Sequence, residues 1–305
     1  MASKLLLASV ESLNQAVQVD EISTHMQPRM RARAWSWEIA IIGVALAALY
    51  FSIGQRLALQ WFLDPNFSHG VFVPAFSLFV VWENRKRLAT LPRQPAWSGI
   101  WLLGFGLAVL AAGVMGAELF LSRISFLFVL AGLIALFLGW NYVRAVAFPL
   151  VFLVLMIPIP SIVFNQITSP LQTVASVSAS YALPLFGVPV LREGNIIRLP
   201  TMALEVAEAC SGIRSLMSLT TLAIIYGYLT EPRIWVRVVL GLASLPIAVI
   251  ANSMRIVGTG LIVQYWDPEK AEGFFHAFSG WLIFVVSLFL IYMIHRVLQL
   301  VFGRE

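Results

Sequence analysis

The chain has 305 residues, of which 60% are hydrophobic and only 11% charged, with a formal net charge of +5. Soluble domains average about 25% charged residues, so a water-soluble fold is excluded: it could not hide this much apolar surface. The basic excess does not indicate nucleic acid, because the Lys and Arg residues fall in breaks between apolar runs rather than along one face, where they report membrane topology.

The first 35 residues are polar on average, and Glu11 interrupts the short apolar start where a signal peptide would continue. Residues 1–35 are therefore read as a cytoplasmic segment and the first spanning helix as an uncleaved anchor. From there the apolar runs are about 15 to 23 residues long, enough for a helix to cross ~30 Å of hydrocarbon. They predict spans near 36–54, 69–82, 98–116, 122–140, 143–160, 212–229, 235–252 and 277–295. The expected fold is an all-α polytopic membrane protein with about eight transmembrane helices, in one domain over 36–300 with a cytoplasmic tail at 301–305. Placing both termini in the cytoplasm puts thirteen of the twenty basic residues inside, among them the cluster Arg85-Lys86-Arg87.

Two outer connections are more than turns. Residues 165–200 begin as a Ser-rich, moderately apolar stretch that suits an interfacial helix. They end in VPVLREGNIIRL, which alternates around Glu193-Gly194-Asn195 as a small external β-hairpin does. Residues 254–275 start with an apolar run too short to span and pass through Asp267-Pro268, the pattern of a re-entrant or surface-lying helix.

Three polar groups fall at the outer ends of consecutive predicted spans. Cys210, the single cysteine, precedes the sixth span, where helix amides favour a thiolate and Arg214 follows one turn later. Such surroundings lower a thiol pKa from about 8.5 into the range ~3.5–7.5. Asn252 and Arg255 follow the seventh span, and His276 begins the eighth. Taken singly, each has a plain structural role open to it: a small buried hydrophobe, an arginine snorkelling to lipid phosphate, a hydrogen-bonded edge histidine. Taken together, a thiol, a guanidinium and an imidazole divide the work of acyl transfer as nucleophile, oxyanion donor and general acid.

The blocks EACSGIRS, ANSMRI and HAFSGW, in that order, resemble the three motif blocks of the exosortase and archaeosortase family, and FSHGVFVP (Phe67 to Pro74) resembles its SHG-containing block. The resemblance covers about 36–300 and is most specific around the cysteine. It implies a membrane-embedded cysteine protease and transpeptidase that recognises a C-terminal sorting tail made of a short PEP-like motif, a transmembrane helix and a basic cluster. Such an enzyme cleaves near the motif through a thioester and passes the freed carboxyl end to an acceptor, in concert with exopolysaccharide assembly. The resemblance makes Cys210 the nucleophile, Arg255 the catalytic arginine and His276 the catalytic histidine. Arg214 and Asn252 become supporting residues, and His69 joins them from the SHG block without a defined role. The implied setting is a bacterial inner membrane with the site facing the periplasm. The implied partners are the lipid bilayer, the sorting-signal helix of substrates and exopolysaccharide assembly proteins.

Two other classes stay open, a transporter and a structural subunit of a polysaccharide export system. Against transport, the polar groups gather at one face and no internal repeat is visible. No cofactor is expected. The four histidines, His25, His69, His276 and His295, show no HExxH or CxxC spacing for a metal, and no phosphate-binding glycine loop occurs.

Overall fold

The computed structural model describes residues 37, 40–200, 202–205, 213–265 and 274–303. The chain divides into two units, Met1–Gln55 and Arg56–Glu305. In the first, the described helix begins at Ala40 and turns Ile41, Val44, Leu49 and Phe51 outward. This helix, α1, runs Ala40–Leu63.

In the second unit a 3-10 turn, Pro65–Val71, opens on Asp64, whose carboxylate accepts a hydrogen bond from the Asn66 N–H. Pro65 supplies a preset φ at the first position of that turn. Then come α2 (Phe72–Glu83), α3 (Arg85–Thr90), α4 (Gly99–Met115), α5 (Leu119–Phe137), α6 (Trp140–Ala145) and α7 (Ala147–Phe152). A second 3-10 turn (Leu153–Met156) leads to α8 (Ser161–Leu185), followed by strands β1 (Leu191–Glu193), β2 (Ile196–Arg198) and β3 (Ala203–Glu205). Three helices complete the described fold: α9 (Ile213–Thr230), α10 (Ile234–Tyr265) and α11 (Phe274–Phe302).

The predominance of helices with outward-facing Phe62, Trp101, Leu242 and Leu300 fits a bilayer solvent, since such surface in water would drive aggregation. The expected count of eight spans is not supported. Among the described residues four segments are long and apolar enough to cross: α1, α5, α10 and Gly280–Phe302 of α11. A fifth results if Ala147–Met156 and Ser161–Leu185, bent by 80°, form one broken span. The shortfall is one of length and polarity. At 12 residues α2 covers only ~18 Å, α4 has 17 residues, and α9 carries Thr220, Thr221, Tyr226 and Tyr228 among its apolar positions.

The predicted hairpin is present. β1 and β2 pair antiparallel with Glu193 opposite Ile196, leaving Gly194-Asn195 as a two-residue turn. Gly194 holds φ 63°, the left-handed value a hairpin turn of this length asks of its first central residue. The sequence did not predict β3, which pairs antiparallel with β2 and extends the hairpin into a sheet of order β1-β2-β3. The sheet is anchored by Val188, Ile197 and Leu199, which pack with Ala179 and Leu183 of α8 and with Ile256 and Val263 of α10.

That packing explains a second departure from expectation. Residues 254–265 do not form the separate re-entrant or surface helix expected there, because α10 continues unbroken to Tyr265, 32 residues in all, while Asp267-Pro268 lies outside the described residues. At 1.5 Å per residue it is ~48 Å long, well beyond ~30 Å of hydrocarbon, and its last turns are covered by α8 and the sheet instead of lipid.

A glycine seam joins α4 to α5. A Cβ on Gly106 would lie 2.8 Å from the Val129 backbone nitrogen, and one on Gly113 would lie 2.5 Å from that of Ser122. Gly99 and Gly132 make similar approaches, so the two backbones meet without intervening side chains, a common way for helices to associate in lipid.

Candidate active site

α10 is the axis of the candidate site. Its two ends pack on different partners: α8 and the sheet toward the C-terminus, α9 and α11 along the rest. Between α9, α10 and α11 lies a narrow crevice of about 10 Å³, room for roughly one water. Its polar lining comes from Ser215 of α9, Asn252 and Arg255 of α10, and Ser287 of α11.

Asn252 and Arg255 are three positions apart, so helical periodicity brings both to the face that meets α9 and α11. Asn252 is buried and Arg255 half-buried. Arg255 is 21 residues from Ile234, a rise of ~32 Å, about the thickness of the hydrocarbon layer. Its guanidinium lies against α11 at Gly280, where an added Cβ would stand 3.3 Å from both Cζ and Nη2. A bare glycine thus admits the guanidinium to the helix surface.

The other expected residues fall as follows. Cys210 lies outside the described residues, between β3, which ends at Glu205, and α9, which starts at Ile213. His276 has its backbone in the first turn of α11, four positions before Gly280, and its side chain is not described. Arg214 is exposed and does not line the crevice, whereas its neighbour Ser215 does.

His69 is 6% exposed and its Nε2 lies 3.2 Å from the Leu155 carbonyl oxygen. Next to it Gly70 leaves room for the Trp61 indole, since a Cβ there would sit 2.4 Å from the ring. The indole in turn donates to the Met156 carbonyl at 2.9 Å. Two adjacent residues therefore tie the Pro65–Val71 turn to the Leu153–Met156 turn, and the Pro65–Val71 turn also packs against α9.

Sequence reasoning missed Ser215, Gly280 and Ser287. The first two stand inside the CSGIRS and HAFSGW blocks, so their signal was proximity to the expected chemistry; Ser287 gave none.

A family model described as transmembrane exosortase matches residues 61–293. No curated protein and no solved structure matches the chain.

Proposed function

The chain belongs to the transmembrane exosortase family, and on that premise we propose that it is a cysteine transpeptidase acting on the C-terminal sorting signals of membrane-anchored substrates. The observation that carries this reading is the convergence on the α9–α11 region of elements bearing all four motif blocks. Arg255 of the second block lies against Gly280 of the third, α9 carries the last three residues of the cysteine block, Ile213 to Ser215, and the His69 turn packs on α9.

In this reading the Cys210 thiolate attacks the scissile carbonyl and forms the tetrahedral adduct, whose oxyanion takes hydrogen bonds from Arg255. His276 then gives a proton to the leaving amine as the C–N bond breaks, and the substrate remains as a thioester on Cys210. An acceptor nucleophile releases it by attack on the same carbonyl. Asn252 and Ser215 hold the polar floor of the crevice. The PEP-like motif as substrate, the link to exopolysaccharide assembly and a site on the periplasmic face of the inner membrane belong to the same proposal.

β3 strengthens it. Among the described residues β3 pairs only with β2, and it ends five residues before Cys210. An extended peptide added along its outer edge would gain main-chain hydrogen bonds on the strand that precedes the nucleophile segment in sequence, as in other cases of strand addition.

The test is maturation of a co-expressed protein carrying such a sorting tail, with wild-type chain and with Cys210→Ala at equal membrane abundance. Processing is expected only with the wild type, together with a hydroxylamine-sensitive adduct. Unchanged processing with Cys210→Ala would end the cysteine reading and leave the transporter and structural-subunit classes standing.

A further inference from the structure

Away from the α9–α11 crevice, a cavity of about 430 Å³ lies between the C-terminal end of α1, the beginning of α5 and the bend at residues 158–161. Into it faces Arg123, which is only 4% exposed. Its Nε has no hydrogen-bond partner, and no carboxylate among the described residues lies within ion-pair distance of it. The two carboxylates that line the same cavity have other work: Asp64 accepts from the Asn66 N–H at 2.9 Å and Glu118 from the Leu121 N–H at 2.8 Å. The Asn66 side-chain oxygen, also in this cavity, is likewise buried without a partner. A guanidinium buried at the edge of a membrane needs an anion or a set of acceptors, and among the described residues this one makes no ion pair and leaves its Nε without an acceptor.

A second cavity, about 480 Å³ and apolar, follows along the same helix. From α5 and its C-cap it takes Phe126, Leu130, Ile134 and Leu138. These residues continue from Arg123 at steps of three or four, so they extend one face of α5. From Arg123 to Leu138 the rise is ~22 Å, most of the ~30 Å hydrocarbon thickness.

We propose that α5 carries a binding site for a phosphate-headed lipid, with the phosphate on Arg123 in the polar cavity and a hydrocarbon chain along the apolar one. Phosphate offers the paired oxygens that a guanidinium fork prefers, and at headgroup depth it is the abundant anion. A soluble phosphate would use the first cavity alone. The apolar cavity in helical register with it is what selects a lipid. This site is separate from the proposed transpeptidase crevice and does not depend on its chemistry.

The experiment is titration of the purified full-length protein in detergent, read by native mass spectrometry, with three probes: dioleoyl phosphatidylglycerol, dioleoylglycerol lacking the phosphate, and inorganic phosphate. Saturable binding of one phosphatidylglycerol is expected, weakened about tenfold or more by Arg123→Gln and also weakened by Ile134→Trp, which fills the apolar cavity. Should Arg123→Gln fail to fold, Arg123→Lys keeps the charge without the fork and is expected to bind several-fold more weakly. Equal phosphatidylglycerol affinity in the wild type and these variants overturns the proposal, as does dioleoylglycerol binding as tightly. Inorganic phosphate that displaces the lipid at comparable concentration, with Ile134→Trp silent, overturns the lipid assignment in favour of a free-phosphate site.

Discussion

Gly280 of α11 gives the Arg255 guanidinium of α10 its resting surface: a methyl group there would sit 3.3 Å from Cζ and Nη2. That distance is tight but not prohibitive, and the atoms it meets end a flexible side chain. Gly280→Ala is therefore expected to shift Arg255 by a few tenths of an ångström and to keep most activity. Gly280→Leu must displace the guanidinium, and misplacing a positioning group by ~1 Å costs ~100-fold in rate. The check is substrate maturation rate at matched membrane abundance. Wild-type rate with Gly280→Leu would separate Arg255's position from the reaction.

Part of the described crevice was legible in sequence: Asn252 and Arg255, singled out at the end of the seventh predicted span, both line it, while Cys210 and the His276 side chain lie outside the described residues. Gly194 announces the hairpin because so few residues tolerate its backbone. What was not legible depended on partners distant in the chain. The continuation of α10 past residue 252 follows from cover by α8 and the sheet, and no local pattern in 254–265 records that cover. β3 escaped because three residues are too few for alternation to register, and it exists by pairing with β2. The count of spans failed because hydropathy alone does not distinguish a crossing helix from short apolar helices packed on one another, as around the Leu153–Met156 turn.

The sheet gives a prediction that separates binding from chemistry. A Cβ on Gly194 meets nothing within 4 Å, so its only obstacle is the left-handed φ of 63°. Gly194→Val should strain the turn by roughly 1–2 kcal/mol without disturbing the packed face of the hairpin. If substrate adds as a strand, the apparent KM for a sorting-signal peptide should rise several-fold while kcat stays within about twofold. A fall in kcat with KM unchanged would count against a binding role for the sheet.

The α4–α5 seam makes a structural prediction. Gly106 and Gly113 face backbone atoms of α5 at 2.8 and 2.5 Å, distances no Cβ can keep, so a side chain must push the helices apart. Gly106→Leu is expected to lower the thermal midpoint sharply and reduce membrane abundance, because overpacking typically costs ~1–3 kcal/mol and here the obstacle is backbone. Gly104 lies on the same helix with nothing within 4 Å of its Cβ direction. Gly104→Leu should leave the midpoint nearly unchanged, and equal damage from both variants would refute the seam as the cause.

The last prediction concerns the other end of the bundle, in the short connection between α9 and α10. Glu231 is 3% exposed. It accepts hydrogen bonds from Arg233 Nε at 2.8 Å and from the Arg233 N–H at 3.2 Å, and it lies 3.2 Å from His295 Nε2 on α11. Arg233 also donates to the Gly303 carbonyl at 2.8 Å, so the group ties the connection to the end of α11. The Arg233 hydrogen bond, more than any other influence, holds the Glu231 carboxyl at about 2, below its ordinary 4.5. A carboxylate whose pKa is depressed on folding stabilises the protein above its unfolded value and loses that contribution as pH falls toward the folded one. The window is therefore pH 4.5 down to about 2. Thermal unfolding of the purified protein should show a midpoint that drops across that window. Glu231→Gln should start lower at pH 7, because Arg233 keeps its charge without a carboxylate, and should vary less as the solution is acidified. Parallel acid profiles for the two proteins would show that Glu231 does not govern acid stability.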